Sequence, residues 1–303
     1  MKHDAPDHSK TRFGYAALLG RPNVGKSTLL NAMVGEDVAI VTHKPQTTRH
    51  RLLGVLSEAR GQIALVDTPG LHQRQPHGLN KRLNRTAAAV ISEVDVVIMV
   101  ADASSWTSED DRVADRIRRF EGPRLLVLNK IDLLADRSQL LVLTDKLSAL
   151  LEPAAVLYTA ASRKDGLKQL IDELFLCLPY GEPVYPDDEF TDRPARFLAA
   201  ELVREQLMLQ LHQEIPYGLT VEIERYEQEA RRLRIGALIV VAENRHKGMV
   251  IGRQGQVLKR VGSRARARMA ELLGQPVHLD LHVRTRAGWI DDERALDELG
   301  FAD

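Results

Sequence analysis

Nine residues at positions 20 to 28, GRPNVGKST, constrain the fold of this chain more than any other stretch. They fit the pattern G-x-x-x-x-G-K-[ST], follow the apolar run YAALL and open a run with helical spacing. Strand, glycine loop and helix in that order make a concave nest of backbone N–H groups, and the positive end of the helix adds to its pull on phosphate oxygens. Gly20 and Gly25 allow the tight turn, while Arg21, Pro22, Asn23 and Val24 fill the loop between them. Lys26 is placed to neutralise outer phosphates and Ser27 to offer its hydroxyl to magnesium, with Thr28 completing the pattern.

From Phe13 to Leu178 short apolar runs (YAALLG, GQIALVD, VDVVIMVAD, RLLVLNK, AAVLYTA) alternate with helical patterns at Lys26–Val34, Ser108–Phe120, Ser138–Leu151 and Leu167–Leu176. The first three runs lack strict alternation, as strands covered on both faces do. The expected fold class is therefore α/β, a doubly wound sheet with helices on both faces. A stretch with four prolines, LPYGEPVYPDDEFTDRP, then interrupts any regular element. It divides the chain into a polar N-terminal tail at 1–11, a first domain at 12–178, a linker at 179–194, a second domain at 195–285 and a C-terminal tail at 286–303.

Three further motifs sit at the ends of the apolar runs. Asp67, Thr68, Pro69 and Gly70 form DTPG, with a carboxylate at the edge where such sheets bind ligands and a glycine whose amide can approach a terminal phosphate. Asp67 is expected to hold magnesium through water. Asn129, Lys130, Ile131 and Asp132 form NKID. A carboxylate at Asp132 accepts two hydrogen bonds from the N1 and exocyclic amine of guanine, and adenine offers neither donor. Lys130 is expected to cover the base with its aliphatic stem, and Asn129 to brace the loops.

In order and position at strand ends, these motifs, with QTTRH at 46–50, resemble those of translation-factor-class GTPases. That likeness makes Thr48 the residue expected to reach magnesium, with Thr47 as runner-up, and makes Lys26, Thr48, Gly70 and Asn23 the catalytic candidates. Related GTPases carry Ser-Ala after the last strand, where this chain has Ala160 and Ala161, so the Ala161 amide is the expected partner of guanine O6. Leu71 stands where Ras-like enzymes place a water-orienting glutamine, which implies slow unassisted hydrolysis. Asn23 is similar to the asparagine with which some related GTPases hold potassium beside the phosphates.

The second domain reads as α-β-β-α-α-β, with VHLDLHVR strictly period-two. Between its two later helices lies VIGRQG, in which Ile251 precedes the G-x-x-G of Gly252, Arg253, Gln254 and Gly255. The order resembles a KH domain of the bacterial type, a smaller α+β fold whose glycine loop clamps a nucleic-acid backbone. From Asn244 to Ala270 there are eight lysines and arginines and no acid, although the whole chain carries 42 of each sign. Lys247, Arg253, Lys259 and Arg260 are the expected RNA contacts; Arg264, Arg266 and Arg268 fit a solvated helix face equally well.

From about Arg12 to Leu296 the chain resembles the Era family of ribosome-assembly GTPases, through its GTPase motifs and through TDRP, TVEIERY, VIGRQG, PVHLDLHV and GWIDDERAL. The resemblance implies GTP or GDP and magnesium as ligands, binding to the 3′ end of small-subunit (16S) ribosomal RNA, and assistance to assembly and RNA maturation of the small (30S) subunit. It also implies a weak association with the inner face of the cell membrane, which no basic amphipathic helix compels. The opening MKHDAPDHSK has no apolar core and no apolar run reaches spanning length, so a cytoplasmic monomer is expected. A GTPase tied to RNA modification and a nucleotide-stabilised RNA-binding scaffold stay open on sequence alone. Cys177, in LFLCLP, reads as a buried core thiol, and Trp289 with Asp291, Asp292 and Glu293 receives no chemistry.

Overall fold

The computed structural model describes residues 11–70, 78–136, 138–212 and 215–301. These divide into two compact units, one of residues 11–39, 48–70 and 83–192, the other of residues 40–47, 78–82 and 193–301.

The order in the first stretch is β1 (Arg12–Leu19), α1 (Lys26–Val34), β2 (Leu52–Glu58), β3 (Gly61–Asp67), α2 (Gly78–Ala89), β4 (Val96–Asp102), α3 (Ser108–Ile117), β5 (Arg124–Asn129), α4 (Ser138–Leu151), β6 (Ala155–Thr159) and α5 (Leu167–Cys177). The strands form one sheet in the order β2-β3-β1-β4-β5-β6, parallel except for β2, which runs antiparallel to β3 at the edge. Every residue of β3 and β4 is buried, which is why their sequences are continuous apolar runs instead of alternating ones. Helices α1 and α5 touch one another on one side of the sheet and α3 and α4 on the other. The core against the latter pair joins Leu19, Val66, Met99 and Leu126 to Val113, Ile117, Leu147 and Leu151.

Two elements, β2 and α2, were not anticipated. The helix buries Leu79, Leu83 and Ala87, a four-residue repeat hidden in an otherwise polar segment. The proline-rich stretch expected as the linker is hydrogen-bonded to β2 and β3 up to Thr191, and the division between the two units falls after Asp192. Val184 and Tyr185 donate their amides to Gln62 Oε1 at 3.0 Å, Val55 donates to the Phe190 carbonyl at 2.9 Å, and the Thr191 hydroxyl donates to the Leu53 carbonyl at 2.7 Å. Cys177 is half-buried, not buried, because it lies at the last turn of α5; burial still pushes its thiol upward, with Glu173 adding to the effect.

The second unit contains α6 (Ala195–Gln210), β7 (Leu219–Glu229), β8 (Arg232–Val241), α7 (Asn244–Ile251), α8 (Gln256–Leu272), β9 (Val277–Thr285) and α9 (Glu293–Glu298). Strand β8 is central, antiparallel to β7 and parallel to β9. Val261, Ala265 and Met269 recur every four residues along α8 and pack with Leu202, Val203 and Leu207 of α6 and with Ile235, Ala237 and Ile239 of β8. The C-terminal residues belong to this core: Trp289 is fully buried, donates from Nε1 to the Gly218 carbonyl at 3.3 Å and stacks 5.8 Å from Phe301. Asp292 caps α9 by accepting from the amides of Arg294 and Ala295. No helix among the described residues is long and apolar enough to cross a membrane.

Candidate nucleotide site and nucleic-acid loop

The parallel strands of the first unit end at one edge of the sheet, and the loops leaving β1, β3, β5 and β6 carry the motifs read from the sequence. In the first loop Gly25 lies at φ +99°, and a Cβ there would fall 2.4 Å from Asn129 Nδ2, so no other residue fits. Lys26, the first residue of α1, is 6% exposed and donates to the carbonyls of Gly20 at 2.9 Å and Arg21 at 3.0 Å. Burial brings its ammonium down to about 8; the charge of Asp67 opposes this, Arg21 reinforces it, and Asp110 opposes it. Arg21 is itself held, through Nε to Asp110 Oδ2 at 2.9 Å and through Nη2 to the Ser105 hydroxyl at 2.8 Å.

Beside this loop three oxygen-bearing side chains converge. Ser27 Oγ donates to Asp67 Oδ2 at 2.6 Å and lies 2.8 Å from Thr48 Oγ1, which donates to the same carboxylate oxygen at 3.2 Å. The adjacent Thr47 points elsewhere, its hydroxyl 2.6 Å from that of Thr42 and donating to the Lys44 carbonyl at 2.7 Å. Asp67 is fully buried, and burial raises its carboxyl against the lowering pull of Lys26 and the hydrogen bonds from Ser27, Thr48 and Thr68. Its second oxygen, Oδ1, is buried with no hydrogen-bond partner among the described residues. Two hydroxyls and a carboxylate with a spare oxygen form a hard donor set that fits magnesium. Thr68 donates to the Leu18 carbonyl at 3.1 Å, and at Gly70 a Cβ would stand 3.0 Å from Pro22 Cγ, so the DTPG loop lies against the glycine loop. Leu71 lies outside the described residues.

On the far side of the glycine loop Asn129, 1% exposed, donates from Nδ2 to the Val24 carbonyl at 2.9 Å, while Oδ1 accepts from the Thr159 hydroxyl at 3.0 Å and the Ala161 amide at 3.1 Å. The amide expected to meet guanine O6 is thus engaged by Asn129 and would reach a base only by sharing its proton. Lys130 adopts φ +64° and donates from Nζ to the Asn23 carbonyl at 2.6 Å and to Asp102 Oδ2 at 2.9 Å. Ile131 is buried at the start of a short 3-10 turn, and Asp132 pairs with Arg163 at 3.1 Å. Ala160 is buried and bonded through its amide to the Asp165 carbonyl. Sequence reasoning missed Asp102 and Asp110. The first could have been noticed as a carboxylate closing an apolar strand; the second acts through a fold-dependent contact with Arg21.

In the second unit the G-x-x-G follows α7. At Gly252 φ is +74° and ψ 173°, and a Cβ would lie 2.5 Å from Val257 Cγ2. Arg253 and Gln254 are exposed, and the half-buried Ile251 and Lys247 precede them on α7. Lys259 and Arg260 lie exposed on the second turn of α8. Among the described residues Lys247, Arg253, Lys259 and Arg260 make no ion pair, leaving their charge available to a polyanion. Arg268 differs, being paired with Glu205 at 3.3 Å.

The profile of the family described as "50S ribosome-binding GTPase" matches residues 15–130, and that of the KH domain matches residues 214–290. GTPase Era of Pseudomonas syringae pv. tomato is 46% identical over 297 residues, covering 98% of this chain and 99% of that protein. The chain belongs to the Era family of GTPases. GTPase Era of Azotobacter vinelandii is similar to the same degree and coverage. Among solved structures, a single-residue variant of Aquifex aeolicus Era bound to GDP.AlF4- superposes with a TM-score of 0.92 at 34% identity, over 97% of this chain and 100% of the other. Era in complex with MgGDPNP and nucleotides 1506–1542 of 16S ribosomal RNA matches with the same score, identity and coverage. This chain, like Era, is a GTPase whose nucleotide-binding domain is followed by a KH domain.

Proposed function

We propose that this GTPase is a switch that binds the 3′ end of small-subunit ribosomal RNA through its G-x-x-G loop and assists assembly and RNA maturation of the small ribosomal subunit. The observation that carries the reading is the full-length likeness to an Era bound at once to MgGDPNP and to 16S RNA. The family profile that refers to the 50S particle covers only residues 15–130, whereas the likeness to the Era bound to the 16S fragment covers 97% of the chain and is the more specific guide. Cytoplasmic location follows from this target.

The residues divide the work as follows. Asp132 accepts from guanine N1 and its exocyclic amine, and Lys130 covers the base. Backbone amides of residues 23–26 surround the phosphates, and Lys26 regains full charge against them. Ser27, Thr48 and Asp67 hold magnesium, which when bound neutralises charge on the outer phosphates. The Gly70 amide meets the terminal phosphate, so Thr48 and Gly70 together register whether it is present. With leucine at position 71, no side chain there orients the attacking water, and unassisted turnover is slow. Asn23 favours a potassium ion beside the phosphates.

The test is multiple-turnover GTP hydrolysis with and without small ribosomal particles. Turnover that those particles change supports the switch; nucleotide bound without turnover in either condition would leave an RNA-binding scaffold.

A further inference from the structure

The last residue of β4, Asp102, meets the nucleotide site through Lys130. It is 8% exposed, and its two oxygens have separate tasks. Oδ1 accepts from the Ser104 amide at 3.0 Å and the Ser104 hydroxyl at 2.6 Å, closing the turn that follows the strand. Oδ2 accepts from Lys130 Nζ at 2.9 Å, and the other acceptor of that ammonium is the Asn23 carbonyl of the glycine loop. Burial by itself would raise the Asp102 carboxyl, but the hydrogen bonds from Ser104 and Lys130 outweigh it and hold the group below the usual carboxylate range, ionised throughout the neutral range.

A lysine side chain is otherwise among the most mobile in a protein. Here its backbone is fixed at φ +64° and its tip is fixed at two points, one on β4 and one on the glycine loop. The stem between is thereby held at both ends, spanning from the end of β5 to the glycine loop. We propose that Asp102 is a positioning residue for guanine nucleotides: by pinning the Lys130 ammonium it keeps the lysine stem in place as a lid on the base and so slows nucleotide release. GDP and GTP are affected alike, because the contact lies at the base and not at the phosphates. This rests on the reading of Lys130 as the residue that covers the base.

The split between the two oxygens makes the test selective. Asp102→Asn keeps an Oδ1 for the Ser104 turn but presents an uncharged amide to Lys130. Ser104→Ala removes a turn hydrogen bond and leaves the Lys130 contact whole. Release of GDP carrying a fluorescent methylanthraniloyl group is followed by stopped flow from the full-length parent, Asp102→Asn, Lys130→Ala, the double variant and Ser104→Ala. Loss of one charge-assisted hydrogen bond is expected to speed release about five- to twenty-fold in Asp102→Asn. Ser104→Ala should match the parent, and the double variant should release no faster than Lys130→Ala alone.

Parental release from Asp102→Asn, or an equal acceleration on the Lys130→Ala background, would overturn the proposal while leaving the base site intact. Parental release from Lys130→Ala would instead overturn the reading of the base site on which the proposal stands. Should Asp102→Asn melt below the parent, Asp102→Ser gives the same comparison, because its hydroxyl can still accept from the Ser104 amide.

Discussion

Asn129 holds the glycine loop from behind, its Nδ2 donating to the Val24 carbonyl at 2.9 Å across a sequence distance of 105 residues. The same carboxamide accepts from Thr159 and Ala161, so one side chain ties the loops after β1, β5 and β6 together. Asn129→Ala leaves the buried Val24 carbonyl and Thr159 hydroxyl without their partner. The expected cost to binding is about 2 kcal/mol, roughly 30-fold in affinity. GTP and GDP should weaken equally in calorimetric titration; loss confined to GTP would place the defect at the terminal phosphate instead.

The Asp132 carboxylate is steadied by Arg163 at 3.1 Å, and in the proposed reading it accepts from the guanine edge. Asp132→Asn replaces an acceptor by a donor, which suits the C2 carbonyl of xanthine. Competition binding should show GTP weakened by a factor on the order of a hundred and xanthosine triphosphate strengthened. Equal GTP affinity in variant and parent would remove Asp132 from base recognition.

Much of the nucleotide site was legible because its residues act through local backbone geometry. GRPNVGKST, DTPG and NKID each lie within a few residues of a strand end, and a strand end can be found from its apolar run. What was illegible depends on long-range contact. Thr48 was the first choice over Thr47 by its place in QTTRH alone, and the fold supplies the physical ground: Thr48 turns to Ser27 and Asp67 while Thr47 turns to Thr42. Strand β2 was missed because Gly54 interrupts its run. The attachments of the proline-rich linker to Gln62, Leu53 and Val55 were also illegible, because they run through its own backbone or a single threonine and leave no pattern.

Hydrolysis should be faster in potassium than in sodium chloride at equal ionic strength. Asn23 is held at φ +63° in the glycine loop, and its carbonyl already accepts from Lys130 at 2.6 Å, so its position is fixed. Asn23→Ala should abolish the difference between the salts without abolishing turnover. Identical parental rates in the two salts would discard the cation role and leave the GTPase untouched.

Glu222 on β7 offers a test of the second unit through pH. Burial raises its carboxyl above the ordinary value of 4.5, Glu224 adds to this, and Arg286 and Arg284 partly oppose it. A carboxyl raised in the folded state binds more protons there than in the unfolded chain, so stability falls as pH rises from 4.5 through the raised value. Above that range the ionised group is a standing cost. Glu222→Gln should therefore raise the melting temperature at pH 7.5 and bring little gain at pH 4. A gain that is larger at pH 4 would contradict the assignment.

The proposed function stands on binding of small-subunit RNA by the glycine loop of the KH domain. Its most direct test is titration of a single-stranded oligonucleotide from the 3′ end of that RNA, at several salt concentrations, against the parent and the double variant Arg253→Asp, Gln254→Asp. Both positions are exposed, so the fold should tolerate the change, which circular dichroism and an unchanged GTP affinity would verify. The parent should bind with an affinity that falls as salt rises, and the double variant should lose binding because two carboxylates repel the phosphates that the loop approaches through its backbone. A folded, GTP-binding double variant that holds the oligonucleotide as tightly as the parent would show that the loop is only a turn between two helices.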